Sequence, residues 1–242
     1  MKKARIDYSE DMEFVLKQLM ECTGIDYKEE LETIFKQLAV EPSNLVKQEL
    51  GFVPPCFGKA DIKLIIIGQD PTIQNVERRK NIKCTLNLDK AGSLTRYVEQ
   101  ICEGLGITIE NVLATNIFKY FYTKPPAQTF NILTKHLSPN LDLLKRELSS
   151  FQSVPIITLG EPVLKLLTND RAKVRYYWGY DSKTKASNGV FTSVKAAENK
   201  LGQIIYPFCH QPSLRKHFYK DTLDLYTHYV KDSSSNRVHS SH

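Results

Sequence analysis

The sequence predicts an α/β fold, a parallel sheet with helices on both faces. Four short apolar runs, 63–68, 111–115, 154–159 and 203–208, show no alternation of polar and apolar residues, as expected of strands buried on both sides. Stretches with apolar residues at helical spacing lie between them, and strands separated by helices pair in parallel. Apolar residues make up 41% of the 242-residue chain and charged residues 25%, so a sizeable core is expected and wholesale disorder is excluded.

Residues 1–55 read as a helical layer, with Phe14, Val15, Leu19 and then Leu31, Ile34, Phe35 and Leu38 spaced on helix faces among charges. Gly51-Phe52-Val53-Pro54-Pro55 breaks that pattern, and the first strand follows, ending at Gly68. Helices are expected over 93–105, 131–148, 161–167 and 213–230, the last closing the fold. Residues 169–200 form an insertion with seven Lys or Arg against three acids and with Tyr176, Tyr177, Trp178 and Tyr180 interleaved. That composition suits phosphate contact and stacking, and equally a solvated loop whose aromatics pack on the core. Residues 1–232 are expected to form one domain and 233–242 a disordered tail.

The net charge of +6 suits a polyanionic partner without proving one. Five scattered cysteines with no C-x-x-C pair read as reduced thiols, and no His lies at metal-ligand spacing from them. Acidic residues follow the basic start where a secretory leader needs an apolar stretch. The longest apolar run is far short of a membrane span. An intracellular, cytoplasmic protein that does not enter membranes is the expectation, nucleoid-associated if bacterial.

In open parallel sheets ligands bind where the carboxyl ends of the strands meet. The residues leaving the four runs are Gly68-Gln69-Asp70-Pro71, Asn116, Gly160-Glu161 and His210-Gln211-Pro212-Ser213. An acid, an amide and an imidazole from distant positions would thus converge. Each also has a structural reading: Asp70 before Pro71 as a turn initiator, Asn116 as a helix cap, His210 as an ordinary loop histidine. Glu161 most simply opens a helix.

The stretches Ile65-Ile-Ile-Gly68-Gln69-Asp70-Pro71-Thr72, Leu113-Ala-Thr-Asn116-Ile-Phe-Lys119 and His210-Gln-Pro-Ser-Leu214 resemble, in order and spacing, motifs of the uracil-DNA glycosylase superfamily. The resemblance covers about residues 60–220. It implies a three-layer α/β/α sandwich around a four-stranded parallel sheet, and hydrolysis of the N-glycosidic bond to uracil or a related damaged base in DNA. No metal or cofactor is implied, and a monomer is expected. The first stretch is similar to the family's water-activating GQDPYH motif, so Asp70 would orient the water, with Gly68, Gln69, Pro71 and Thr72 around the substrate. Asn116 would read the base edge, and His210 would hydrogen-bond the charge developing on the departing base. Ser213, Leu214 and Arg215 would contact DNA, Leu214 filling the gap left by the flipped base. The bland reading of Leu214 is the buried face of the last helix.

The chain departs from the family pattern at three places. Thr72 and Ile73 stand where the motif has Tyr and His, and the tyrosine is what excludes the thymine methyl group. Gln211 is an extra residue in the third motif. No aromatic platform for the base is evident in 82–88, which leaves Tyr120, Phe121 or Tyr122 as candidates if the loop after Asn116 folds back. Some branches carry an iron–sulfur cluster, one of whose cysteines corresponds here to Tyr120, so none is expected. The stretch 123–128 resembles a proline-rich loop that presses on DNA in relatives, and reads equally as a rigid turn. The alternative to an enzyme is a non-catalytic DNA- or uracil-binding protein with the same fold. An enzyme on a free nucleotide is disfavoured by the lack of a Gly-rich phosphate loop.

Overall fold

The computed structural model describes residues 10–38, 50–71, 82–122, 130–169 and 173–238. The four expected strands are present as β2 (Leu64–Gly68), β3 (Val112–Asn116), β4 (Ile156–Leu159) and β5 (Ile205–Phe208), every residue of them buried. They pair in parallel in the order β3-β2-β4-β5. A fifth strand was not expected. β1 (Cys56–Phe57) adds to the edge antiparallel to β3, with Cys56 opposite Ala114. Two residues are too short to show periodicity, and only the exposed ladder edge of β3 recruits them.

Helices α1 (Glu10–Thr23) and α2 (Tyr27–Leu38) form the expected N-terminal layer and bury Leu19, Tyr27, Leu31 and Ile34. Helix α3 (Ser93–Leu105) follows β2, α4 (Phe130–Leu148) follows β3, and α5 (Glu161–Leu167) follows β4. The chain moves from β2 to β3 on one side, then back across β2 to β4. With right-handed crossovers, that reversal puts α3 and α4 on opposite faces. α2 packs on α4, while α3 packs on the last helix, α7 (His217–Val238). The close α3–α7 crossing is made at Gly104, where a Cβ would run into the Thr227 side chain. Three layers result.

Two expectations at the C-terminus need correction. The helix expected from Ser213 is broken in two: a 3₁₀ turn over Gln211–Arg215, started by Pro212, and then α7 after an extended Lys216. The tail expected to be disordered from 233 continues α7 to Val238. Extending a formed helix adds one hydrogen bond per residue fixed, and Ser234 and Ser235 also donate their hydroxyls to the Lys231 carbonyl.

The insertion is ordered where described, from Lys173 onward. It contains α6 (Val174–Tyr177) and a short hairpin in which Tyr180 bridges Ser187. Among the described residues no helix is long and apolar enough to cross a membrane, and all five cysteines are free thiols.

Candidate active site

The topological reversal between β2 and β4 opens a crevice at the strand carboxyl ends, where doubly wound sheets bind ligands. A cavity of about 420 Å³ lies there. Gly68, Gln69, Asp70 and Pro71 reach it from the end of β2, Asn116 from β3, Gly160 from β4 and His210 from beyond β5, with Leu86, Asn87 and Leu94 on the remaining wall. The acid, amide and imidazole singled out in the sequence therefore line one cavity.

Among the described residues Asp70 makes no ion pair. Burial without compensation raises its pKa from 3.8 to about 7. A carboxylate held near neutral titration in a cleft is poised for proton and charge chemistry.

Asn116 is not a helix cap, because no helix begins within the described residues that follow it, and its side chain is buried. Gly68 and Asn116 are paired across β2 and β3, and a Cβ on Gly68 would collide with Asn116 Oδ1. Glycine is needed there so that the amide can lie against the β2 backbone. Beneath it sits Lys119, fully buried, whose Nζ donates to the Asn116 carbonyl at 2.6 Å, Thr115 Oγ1 at 2.8 Å and Glu147 Oε2 at 2.8 Å. Three donors meet three acceptors, the full capacity of an ammonium. Burial pulls the Lys119 pKa down while Glu147 opposes it. Burial, and then the same carboxylate, push the Tyr27 phenol of α2 well above its usual range. The backbone under Asn116 is thus fixed by an ion pair that joins β3 to α4 and faces the N-terminal helical layer.

His210 is exposed, on the loop between β5 and the 3₁₀ turn, and partial desolvation at the cavity lowers its pKa. A neutral imidazole is therefore the form present above pH 7, and it remains a hydrogen-bond donor through one ring nitrogen. Its loop is held from two sides: Tyr97 OH of α3 donates to the Cys209 carbonyl at 3.0 Å, and Trp178 Nε1 donates to the Pro207 carbonyl at 2.8 Å. Gly160, at φ +89°, brings the end of β4 close to His210, and a Cβ there would press on the His210 Cβ. Ser213 and Leu214 are half-buried and Arg215 is exposed on the 3₁₀ turn. Leu214 packs partly against the core, so it is neither free nor on the buried face of the last helix.

Among the described residues, three side-chain atoms at this cavity are buried without a partner: Asn116 Oδ1, Gln69 Nε2 and Asn87 Oδ1. Each such atom costs about 1–3 kcal/mol, a cost that a bound ligand with matching groups removes. Sequence reasoning did not find Asn87 or its neighbour Leu86. Both have left-handed backbone, at φ 51° and 61°, which no periodicity signals. The three conditional candidates for stacking on the base do not reach the cavity. Tyr120, Phe121 and Tyr122 are buried and do not line the cavity, whereas Leu86 does, against Gly68. The tyrosines form a polar cluster behind it instead: Asn140 Nδ2 donates to Tyr120 OH at 2.8 Å, and Tyr122 OH lies 3.2 Å from His136 Nδ1. Thr72, Ile73, Arg171 and the 123–128 loop fall outside the described residues. Among the described residues no group of His, Cys, Asp or Glu side chains is placed to hold a metal.

The chain has a mostly parallel α/β fold in which an acid, an amide and an imidazole line one cavity at the switch point of the sheet. The uracil DNA glycosylase superfamily model matches residues 55–232, and the chain belongs to that superfamily. Its members are generally DNA glycosylases. No individually curated protein matches the chain.

Proposed function

We propose that the protein is a monofunctional DNA glycosylase that hydrolyses the bond between deoxyribose and uracil, or a related deaminated base, in base excision repair. The observation that carries this is Asn116: a buried amide locked against Gly68, in the same cavity as the Asp70 carboxylate, the amide oxygen and the carboxylate both without a partner among the described residues. An extruded base offers imide and carbonyl groups to such an amide. As the C1′–N bond breaks, electrons pass to the base, which leaves as an anion, and positive charge develops on the sugar. Asp70, ionised, stabilises that cation and orients the water that adds to C1′. Neutral His210, with the Gln69 backbone N–H, hydrogen-bonds the base oxygen that gains charge. Apolar walls from Leu86, Leu94 and Leu159 exclude bulk water and strengthen these interactions. No lysine lines the cavity among the described residues, which favours attack by water over a Schiff-base route.

Gly68 and Pro71 shape the pocket in this reading, the motif resemblance gives Thr72 the role of the residue beside C5 of the pyrimidine, and Ser213, Leu214 and Arg215 meet the DNA. In this reading the protein works inside the cell, as a monomer. The test is excision from duplex oligonucleotides containing U, hypoxanthine, xanthine, 5-hydroxymethyluracil or T, read as strand cleavage after alkali. Cleavage at U or another deaminated base is expected. Tight, lesion-dependent binding with no cleavage on any substrate would establish the non-catalytic alternative instead.

A further inference from the structure

The insertion divides its residues in a way that composition did not show. Tyr177 and Trp178 are buried, with Trp178 stacked on Tyr226 of α7 at 4.8 Å between ring centroids. Trp178 Nε1 donates to the Pro207 carbonyl of β5 at 2.8 Å and Tyr226 OH of α7 donates to the Thr192 carbonyl at 3.0 Å, so the segment is anchored on either side of the hairpin, which Ser187 Oγ closes by donating to the Trp178 carbonyl at 2.9 Å. Tyr176, by contrast, is 62% exposed, and Lys173, Arg175, Lys183 and Lys185 are all exposed.

The exposed part lies beside the 3₁₀ turn. The Arg175 guanidinium sits 4.6 Å over the Tyr180 ring, and Tyr180 packs edge-on, at 4.9 Å, against Phe218, three residues beyond Arg215. None of Lys173, Arg175, Lys183, Lys185, Arg215 or Lys216 has an acidic partner among the described residues. The nearby acid in the hairpin, Asp181, spends its carboxylate inside the turn, accepting from Lys183 N at 2.9 Å and Thr184 Oγ1 at 3.2 Å. A rigid frame therefore carries unpaired cations continuous with the turn that follows His210. A solvated flap does not need that anchoring.

We infer that residues 173–185 form a second nucleic-acid contact surface, which binds the phosphates of duplex flanking the base held in the cavity. Arg175 is its fixed point because its stack on Tyr180 pre-orients the guanidinium, while the hairpin lysines supply point charges. This rests on the glycosylase reading and deepens it.

The test compares two variants with equal loss of charge. One carries Lys173→Gln, Arg175→Gln, Lys183→Gln and Lys185→Gln; the other carries Lys17→Gln, Lys36→Gln, Lys135→Gln and Lys145→Gln, exposed lysines of the helical layers. Binding to an undamaged 30-base-pair duplex is measured across salt concentration. Removing one cation from a phosphate lowers the slope of log K against log salt by about 0.9. The insertion variant is expected to lose about 2–4 from the slope and at least about tenfold in affinity near 100 mM salt, and the control variant less than about 1. Equal changes in both variants, or no change in the first, overturn the inference while leaving wild-type excision to support the site. A wild type with neither excision nor a steep slope overturns the glycosylase reading itself. If the fourfold variant does not fold, Lys183→Gln with Lys185→Gln at the hairpin tip replaces it, with an expected slope loss of about 1–2.

Discussion

Replacing Asp70 by asparagine separates its chemical contribution from its cost to the fold. A carboxyl that titrates at about 7 in the folded protein and near 3.8 when unfolded holds its proton more tightly in the fold. Between those values the folded state binds the extra proton, so stability falls as pH rises from about 4 to about 7 and is level above. At about 1.4 kcal/mol per pH unit, the raised pKa of Asp70 leaves the fold about 2 kcal/mol less stable at pH 5 and about 4 kcal/mol less stable at pH 8 than it is below pH 4. A neutral amide at this position escapes that cost. Urea unfolding of both proteins at the two pH values should therefore show the Asp70→Asn variant more stable, with a larger gain at pH 8. Excision should change in the opposite sense, falling by at least about 10²-fold. In the wild type kcat/KM should rise about tenfold per pH unit up to about pH 7 and then level, because the carboxylate is the working form. A variant no more stable at pH 8 than wild type, or a wild-type profile flat from pH 5.5 to 8, would refute an unpaired buried carboxylate as the origin of both effects.

His210→Ala should lower the single-turnover excision rate by about 10²–10³-fold through loss of one donor to the departing base, and an unchanged rate in a folded variant returns His210 to an ordinary loop role. Gly68→Ala drives a methyl group into Asn116 Oδ1. Displacing that amide by about 1 Å should cost about 10²-fold in rate, and retained activity would mean that Asn116 does not read the base. Lys119→Met strands Glu147 as a buried charge and should cost about 3–5 kcal/mol by chemical denaturation, most of it recovered when Glu147→Leu is added; equal stability of the single and double variants would deny the ion pair. Thr72→Tyr should suppress excision of 5-substituted uracils while sparing uracil, because one methyl in an apolar pocket is otherwise worth only about 1–3 kcal/mol, and matched single-turnover rates on both substrates check it.

The strands and helices were legible from local pattern. β2 and α3 follow the apolar run at 63–68 and the helical spacing at 93–105 because backbone sterics and side-chain period act over a few residues. The strand ends were legible for the same reason, and Asp70, Asn116 and His210 were found by asking what leaves each buried run. Their convergence required the sheet order, in which β2 is flanked by β3 and β4, strands that begin 48 and 92 residues after its first residue. Local pattern does not encode pairing at that range. The same holds for the ion pair of Lys119 with Glu147, 28 residues apart, and for Tyr27 beside it. It holds for Leu86 and Asn87, whose left-handed backbone is imposed by the surrounding segments rather than preferred by a leucine. Residue chemistry and period were thus written locally in the chain, while the placing of one amide, one acid and one imidazole around a single cavity came from long-range packing, because only the folded core brings such distant groups together and buries the amide among them.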